Sequence, residues 1–297
     1  MLVHGILNVN KPEDRTSFSI IGQLRRLSRV KQIGHTGTLD PFASGVLPVC
    51  FGQACKISRF ISGANKAYTA VIELGTTTDT FDRDGTVTSK KELENITTAM
   101  VEKALDSFRG NIEQIPPAYS AIKIGGRKSY SIARSGSEVL HKPRSITITS
   151  IEPVHFKFPL VTIKVECSKG TYIRSLANDL GQLLGCGAYL KELTRTRCGV
   201  FTVENAMSIE KLEEAFKKDK WQQLLQPLDF ALSGWDKIEL DDNSLKALLD
   251  GNGIDLDRQP LKPGEFIRAY NTAGRMTAIL KYDETHQDWR HEKFFQY

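Results

Sequence analysis

Cysteine is scarce in this 297-residue chain and badly spaced for either of its usual structural uses. The five, Cys50, Cys55, Cys167, Cys186 and Cys198, are odd in number and include no CxxC pair. A structural zinc site shows close ligand pairs, and a disulfide framework shows an even count in a small secreted chain. Neither pattern fits, so no metal site is expected, and the thiols are expected to be reduced and partly buried in a cytosolic protein. The N-terminus, Met1-Leu2-Val3-His4-Gly5-Ile6-Leu7, has no basic region and no apolar stretch of useful length, so no signal peptide is expected. The longest uncharged run, Pro41 to Cys55, is interrupted by Pro48 and several glycines. It falls short of the roughly 20 residues that a membrane helix needs, which points to a soluble, cytoplasmic protein. Internal repeats, low-complexity tracts and exposed heptads are also missing, and a monomer is expected.

What is present is ordinary in bulk. Hydrophobic residues make up 40% and charged residues 25%, as in soluble globular proteins, and the length suits one large domain or a large and a small one. A net charge of +5 and a pI near 8.8 permit an acidic partner such as RNA without demanding one.

The apolar stripe Ile20, Ile21, Leu24 and Leu27 predicts a helix over Ser17–Val30, with Ser17 as its cap. Arg25, Arg26 and Arg29 lie mostly off that stripe, and a solvated face and a phosphate contact are equally open for them. Segments rich in Val, Ile and Thr predict strands at Ala67–Leu74, Ser145–Phe158 and Leu160–Ser168. Further helices are expected at Thr98–Phe108, closed by Gly110, and at Thr171–Leu184, before Gly185 and Gly187. Helices and strands mix without a regular βαβ alternation, which indicates an α+β fold. After Pro227-Leu228-Asp229 the character changes: a short helix (Ser244–Leu249) stops at Gly251, and a hairpin follows over Phe266–Tyr282. The expected boundary lies near residue 232, giving domains over 1–232 and 233–297; the second is β-rich and too small for more than a marginal core of its own.

Chemistry concentrates in Gly34-His35-Thr36-Gly37-Thr38-Leu39-Asp40-Pro41-Phe42-Ala43-Ser44-Gly45. Glycines let the backbone turn tightly and approach a ligand, and Pro41 biases Asp40 towards an extended conformation. A carboxylate here suits a nucleophile, a base or a turn former. Lys66-Ala67-Tyr68 opens a strand. Cys167-Ser168-Lys169-Gly170-Thr171-Tyr172-Ile173-Arg174 is a strand-to-helix junction, and an arginine at a helix start opposes the dipole and calls for an anion. The block Thr76–Gly85 (TTTDTFDRDG) fails as a calcium loop, because its first and last ligand positions fall on Thr80 and Lys91. Ser120–Arg144 carries six Lys or Arg against one Glu, interleaved with Tyr130 and glycines. That mixture has the charge and stacking residues of an RNA-gripping segment.

GHTGTLDPFASGVLPV resembles the catalytic loop of the TruB family, the synthases that make pseudouridine at position 55 of tRNA. With the KAY, KGTYIR and basic blocks, the resemblance spans roughly residues 1 to 230. It implies a pseudouridine-synthase fold, with a mixed, largely antiparallel sheet flanked by helices. It makes Asp40 the catalytic residue and Arg174 its partner; a guanidinium favours the ionised form of a carboxylate beside it, and its planar fork fixes orientation. It implies that Tyr68 stacks on the target base and helps move a proton, and that Tyr172 and Leu193 line the pocket. His35 would fill the space left by a flipped base. The Thr76–Gly85 block becomes a structural motif. The basic block, about 120–148, becomes a mobile thumb on the tRNA T-arm, with Arg127, Lys128, Lys142 and Arg144 as RNA contacts. The last 65 residues resemble the family's PUA-type RNA-binding domain loosely. No cofactor, no obligate protein partner and no guide RNA are implied. A non-catalytic tRNA-folding factor is the alternative, separated by whether Asp40 is needed for product.

Overall fold

The computed structural model describes residues 3–120, 122–124, 126–129, 132 and 141–296, with backbone only at 123, 124, 127 and 128. Its larger part is built from strands β1 (Gly5–Lys11), β2 (Ser44–Phe51), β3 (Lys66–Leu74), β4 (Gly110–Gln114), β5 (Arg144–Lys157), β6 (Leu160–Cys167) and β7 (Ala188–Cys198). Helix α1 (Ser17–Ser28) follows β1, α2 (Thr98–Asp106) precedes β4, α3 (Ile173–Leu183) links β6 to β7, and α4 (Ile209–Lys217) comes after β7. The strands pair in the order β1–β2–β7–β3–β6–β5–β4. Short strands Ile33–His35 and Phe201–Thr202 extend the sheet beside β2 and β7. All of these pairings are antiparallel except β2 with β7, where Thr194 faces Ser44 and Arg195 faces Gly45. At that junction the backbones come so close that a Cβ on Gly45, at φ +103°, would lie 2.3 Å from the Arg195 carbonyl oxygen. Only glycine fits there.

The sheet is covered on both faces at its β1–β2 end. Leu7, Val9, Leu47 and Val49 pack on Ile20, Ile21 and Leu24 of α1 and on Ile209 and Leu212 of α4. On the other face, Ile6, Val46 and Cys50 meet Met276, Ile279 and Phe295 of the C-terminal unit. The rest of the sheet buries Ile72, Ile148 and Ile163 against Val101 and Leu105 of α2 and Leu176 and Leu180 of α3.

The C-terminal unit comprises β8 (Lys237–Leu240), α5 (Asp242–Leu249), β9 (Phe266–Asn271), β10 (Met276–Asp283) and β11 (Asp288–Phe294). The strands form a separate sheet in the order β8–β9–β10–β11, parallel between β8 and β9. One face has its own small core of Leu240, Leu248, Ile267, Leu280 and Trp289. The other face supplies the residues that pack on β1 and β2, so this marginal core is supported by the body.

The predicted helices and strands form, with shifts that have local causes. Thr16, not Ser17, caps α1: its Oγ1 accepts from the Ser19 amide at 3.0 Å. Helix α3 starts at Ile173 rather than Thr171, and α5 starts two residues early because Asp241 accepts from the Ser244 amide at 2.7 Å. Residues 144–148, expected to close the thumb, are the first rungs of β5 against β4. The cysteines are free, and all but Cys55 are buried. Among the described residues no helix is long and apolar enough to cross a membrane.

Candidate active site

Asp40 sits on a loop held from several sides. Ser17, the first residue of α1, turns inward; its Oγ accepts from the Leu39 amide at 2.9 Å and donates to the Leu39 carbonyl at 3.2 Å. The amide of Ala43 donates to the Asp40 carbonyl at 3.1 Å, closing a turn around Asp40-Pro41. Lys11, at the end of β1, is fully buried. Its ammonium donates to the carbonyls of Pro12 (2.8 Å), Arg15 (2.6 Å) and Pro41 (3.0 Å), tying the loop to the sheet.

Burial pulls the pKa of the Lys11 ammonium down to about 8, against the opposing pull of Asp14, Asp40 and Glu13. Because the folded value lies below that of the unfolded chain, the folded state binds fewer protons between about 8 and 10.5. This lysine's contribution to stability therefore rises with pH across that window and is lost as pH falls through about 8. Denaturant unfolding of the native protein and Lys11→Met at pH 7.5 and pH 10 is expected to show the difference moving in favour of the native chain at the higher pH.

Arg174 lies in the first turn of α3 and is 5% exposed. Its Nε lies 3.0 Å from Asp40 Oδ2 and its Nη2 donates to Asp40 Oδ1 at 3.1 Å. One hydrogen bond and one close ion pair thus hold the carboxylate against the guanidinium. Nη2 also donates to the Tyr119 carbonyl at 3.0 Å and Nη1 to the Thr80 carbonyl at 3.4 Å, while Nη1 is ion-paired with a second carboxylate, 3.2 Å from Asp82 Oδ2. Asp82 is buried and also accepts from the Thr80 hydroxyl and the Asp84 amide. Burial raises its pKa, and the Asp40 charge adds to the rise, while Thr80, Arg174 and the Asp84 amide oppose it. One guanidinium thus serves two carboxylates, and the more exposed of them faces the open side, with the Asp40 side chain 32% exposed.

Tyr172 precedes α3. Buried Gln114 clamps its backbone, accepting from its amide at 2.8 Å and donating to its carbonyl at 3.0 Å. The ring is half-buried, hydrogen-bonds to Ser120, and lies within electrostatic range of Arg144, Arg174 and Asp40. Burial raises its pKa first of all.

A second group surrounds Arg195, which is 2% exposed and has no carboxylate partner among the described residues. Its Nε donates to the Val46 carbonyl at 2.7 Å and its Nη2 to the Gly37 carbonyl at 3.1 Å. Tyr68 lies directly across from it on β3, within its electrostatic range. Burial pushes the Tyr68 phenol up to about 12, with Arg195 opposing. His35 Nδ1 accepts from the Gly37 amide at 3.3 Å. Burial, and then Arg195, lower the pKa of His35, so its ring is neutral at pH 7. Tyr68 and Leu193 belong to the cluster that includes Leu39 and Phe42.

The structure therefore brings Asp40, Arg174 and Tyr172 together, and joins Tyr68 and His35 through Arg195. Arg144, the first residue of β5, lies within electrostatic range of Tyr172. Lys142 is exposed just before β5. For Arg127 and Lys128 only the backbone is described, in a two-residue strand paired with residues 123–124; Tyr130 lies outside the described residues. Asp82, Arg195, Lys11 and Gln114 were not singled out from the sequence. Asp82 stood in a block read as a structural motif, and nothing in its spacing marked it as Arg174's second partner. Among the described residues no group of three or more His, Cys, Asp or Glu is placed to hold a metal ion.

Comparison with known proteins shows the family. Residues 25–173 match the TruB family pseudouridylate synthase N-terminal domain, and residues 174–233 match the tRNA pseudouridylate synthase B C-terminal domain. Similar chains include proteins named tRNA pseudouridine synthase B. The one from Dehalococcoides mccartyi is 42% identical, covering 98% of this chain and 96% of the relative. That from Clostridium tetani is 42% identical, covering 90% and 92%. That from Pseudomonas paraeruginosa is 39% identical, covering 93% and 91%. The fold is shared with the structure of a Cbf5–Nop10–Gar1 complex, with TM-score 0.77 and 24% identity over 98% of this chain and 85% of that one. It is shared too with an H/ACA RNP bound to a substrate RNA containing 2'-deoxyuridine, with TM-score 0.75 and 22% identity over 99% and 85%.

Proposed function

This chain belongs to the TruB family of pseudouridylate synthases, and on that premise we propose that it isomerises uridine 55 in the T-loop of tRNA. It is an enzyme, a pseudouridine synthase that isomerises uridine in tRNA; a non-catalytic folding factor is not favoured. The observation that supports the finer reading is the Asp40–Arg174 contact, in which a buried guanidinium orients a carboxylate on the open side of a fixed loop.

The reaction breaks the bond between ribose C1' and uracil N1, turns the base and joins C1' to C5, with the C5 proton lost and N1 taking up a proton. It needs no net electrons or added atoms. Asp40 is the nucleophile or base, held ready by Arg174, unlike the carboxylate pairs of most glycosidases. The target uridine lies inside a folded loop and is flipped into the pocket, which costs a few kcal/mol of lost stacking. Tyr68 stacks on the flipped base, and Tyr172 and Leu193 wall the pocket. With its pKa near 12, only about one Tyr68 in 10^5 is phenolate at pH 7, far from the match to working pH that efficient bases show. Stacking and delivery of a proton suit it better than unaided abstraction. His35, neutral, fills the space that the base vacates. The basic segment with Arg127, Lys128, Lys142 and Arg144 closes on the T-arm. Residues 1–232 form the catalytic domain and 233–297 a PUA-like RNA-binding domain, working as a cytoplasmic monomer without cofactor, guide RNA or obligate protein partner.

The test uses a T-arm hairpin and whole tRNA tritiated at uridine C5. Release of the label is expected from both; whole tRNAs that keep their label when incubated with folded, RNA-binding protein would overturn the reading.

A further inference from the structure

The outer face of α1 presents an arrangement that the active site does not use. Phe18, Gly22, Arg25 and Arg26 fall at i, i+4, i+7 and i+8, opposite the buried Ile20, Ile21 and Leu24, and Arg29 follows as the C-cap in the left-handed conformation at φ 57°. All five are exposed, Phe18 to 75%. A Cβ on Gly22 would meet nothing within 4 Å, so the backbone is bare between the aromatic ring and the arginines. The eleven helical residues from Phe18 to Ser28 make this ridge about 15 Å long.

Charge on the ridge has one sign. Among the described residues, no ion pair joins Arg25, Arg26 or Arg29 to a carboxylate. Arg25 makes one long contact, from Nη2 to the Ile33 carbonyl at 3.4 Å. Glu13 and Asp14, just before the helix, are engaged by Arg83 at 3.0 and 2.9 Å. On the flank towards α4, Glu213 accepts from Gln23 at 2.7 Å. Basic residues in a last turn do complement the helix dipole. That account covers Arg25 and Arg26 but does not explain an exposed aromatic ring at the opposite end. The ridge is also continuous with the site, because Ser17, next to Phe18, holds the backbone of Leu39, next to Asp40.

We propose that the outer face of α1 is an RNA-contact surface, on which Arg25, Arg26 and Arg29 hold the sugar–phosphate backbone of the tRNA and Phe18 stacks against an unpaired base beside the catalytic loop. The proposal rests on the reading of tRNA as substrate. Guanidinium groups suit phosphates through their donor fork, and aromatic faces accept any base.

The test measures binding of an unmodified tRNA transcript across a series of KCl concentrations, together with single-turnover tritium release at saturating protein. The proteins are native, Arg26→Gln/Arg29→Gln, Arg26→Lys/Arg29→Lys and Phe18→Ala. Each lost phosphate contact lowers the slope of log K against log salt by about 0.7 to 0.9, so the double Gln variant is expected to lose about 1.4 to 1.8 from the slope. The double Lys variant keeps the slope. Phe18→Ala is expected to bind about tenfold more weakly with the slope unchanged, because stacking carries no charge. All three release label at the native rate once saturated, since none of these residues touches the reacting atoms. A double Gln variant with native affinity and slope overturns the proposal, while label release by the native protein leaves the reaction standing. A native protein that neither binds nor modifies tRNA overturns both.

Discussion

Replacing Asp40 by Asn is expected to lower single-turnover tritium release by about 10^3-fold or more, the scale of removing a reacting group, while tRNA affinity stays within a few-fold of native. Asn is nearly the same size and keeps one oxygen that can accept from Arg174 Nη2, which lies 3.1 Å from Oδ1 in the native chain. What it loses is the charge and the nucleophilic or basic oxygen. Arg174 would retain Asp82, 3.2 Å from Nη1, so its guanidinium is not left without a counter-charge. Breaking a fully buried pair costs about 3–5 kcal/mol, but the Asp40 side chain is 32% exposed and water screens much of that. The fold should therefore survive, and urea unfolding run beside the kinetics checks this. A folded Asp40→Asn protein that releases label at a native rate would remove Asp40 from the chemistry.

Arg174 separates positioning from folding. In Arg174→Lys the charge remains, but a point-like ammonium cannot span both oxygens of Asp40 and still reach Asp82 and the Tyr119 carbonyl. A misplaced reacting group costs on the order of 10^2-fold in rate, and that loss is expected in the saturated single-turnover rate rather than in tRNA affinity. Arg174→Met is expected to be much worse. It leaves two carboxylates facing one another, one of them buried, and lowers stability by about 3–5 kcal/mol. This loss has a predictable pH dependence. Asp82 already has a raised pKa in the native fold, and losing Arg174 raises it further. A carboxyl group whose folded pKa is raised above its unfolded value adds stability below the unfolded value and loses it as pH rises through the folded value. The penalty in Arg174→Met should accordingly shrink between pH 7.5 and pH 5.5. A penalty that is the same at both values would mean that Asp82 is not the group left exposed to repulsion.

The local elements were legible because periodicity is a one-dimensional property. The stripe in Ser17–Ser28 and the β-branched runs in β3, β5 and β6 repeat at spacings that each element imposes on itself. The loop GHTGTLDPFASG stood out as a candidate site, since it combines glycines, a carboxylate and a proline within twelve residues, and the resemblance gave Asp40 its proposed role. Its pairing with Arg174, 134 positions away, came from the resemblance and not from any spacing.

Other features depended on tertiary structure. Lys11, Asp82 and Arg195 are charged residues in stretches that read as ordinary surface or loop, and the fold buries all three around the Asp40 loop. Arg195 faces Gly45 and Tyr68 only because β7 inserts between β2 and β3. Ser17, which reads as a helix cap, becomes a clamp on Leu39 because α1 packs beside the loop. Sequence by itself determined which segments are helix or strand, because backbone propensity and hydrophobic spacing act over a few residues, and the resemblance singled out Asp40 as the proposed reacting carboxylate. The order of strands in the sheet decided which charges are buried and what they touch, because burial and hydrogen bonding depend on neighbours that are remote along the chain.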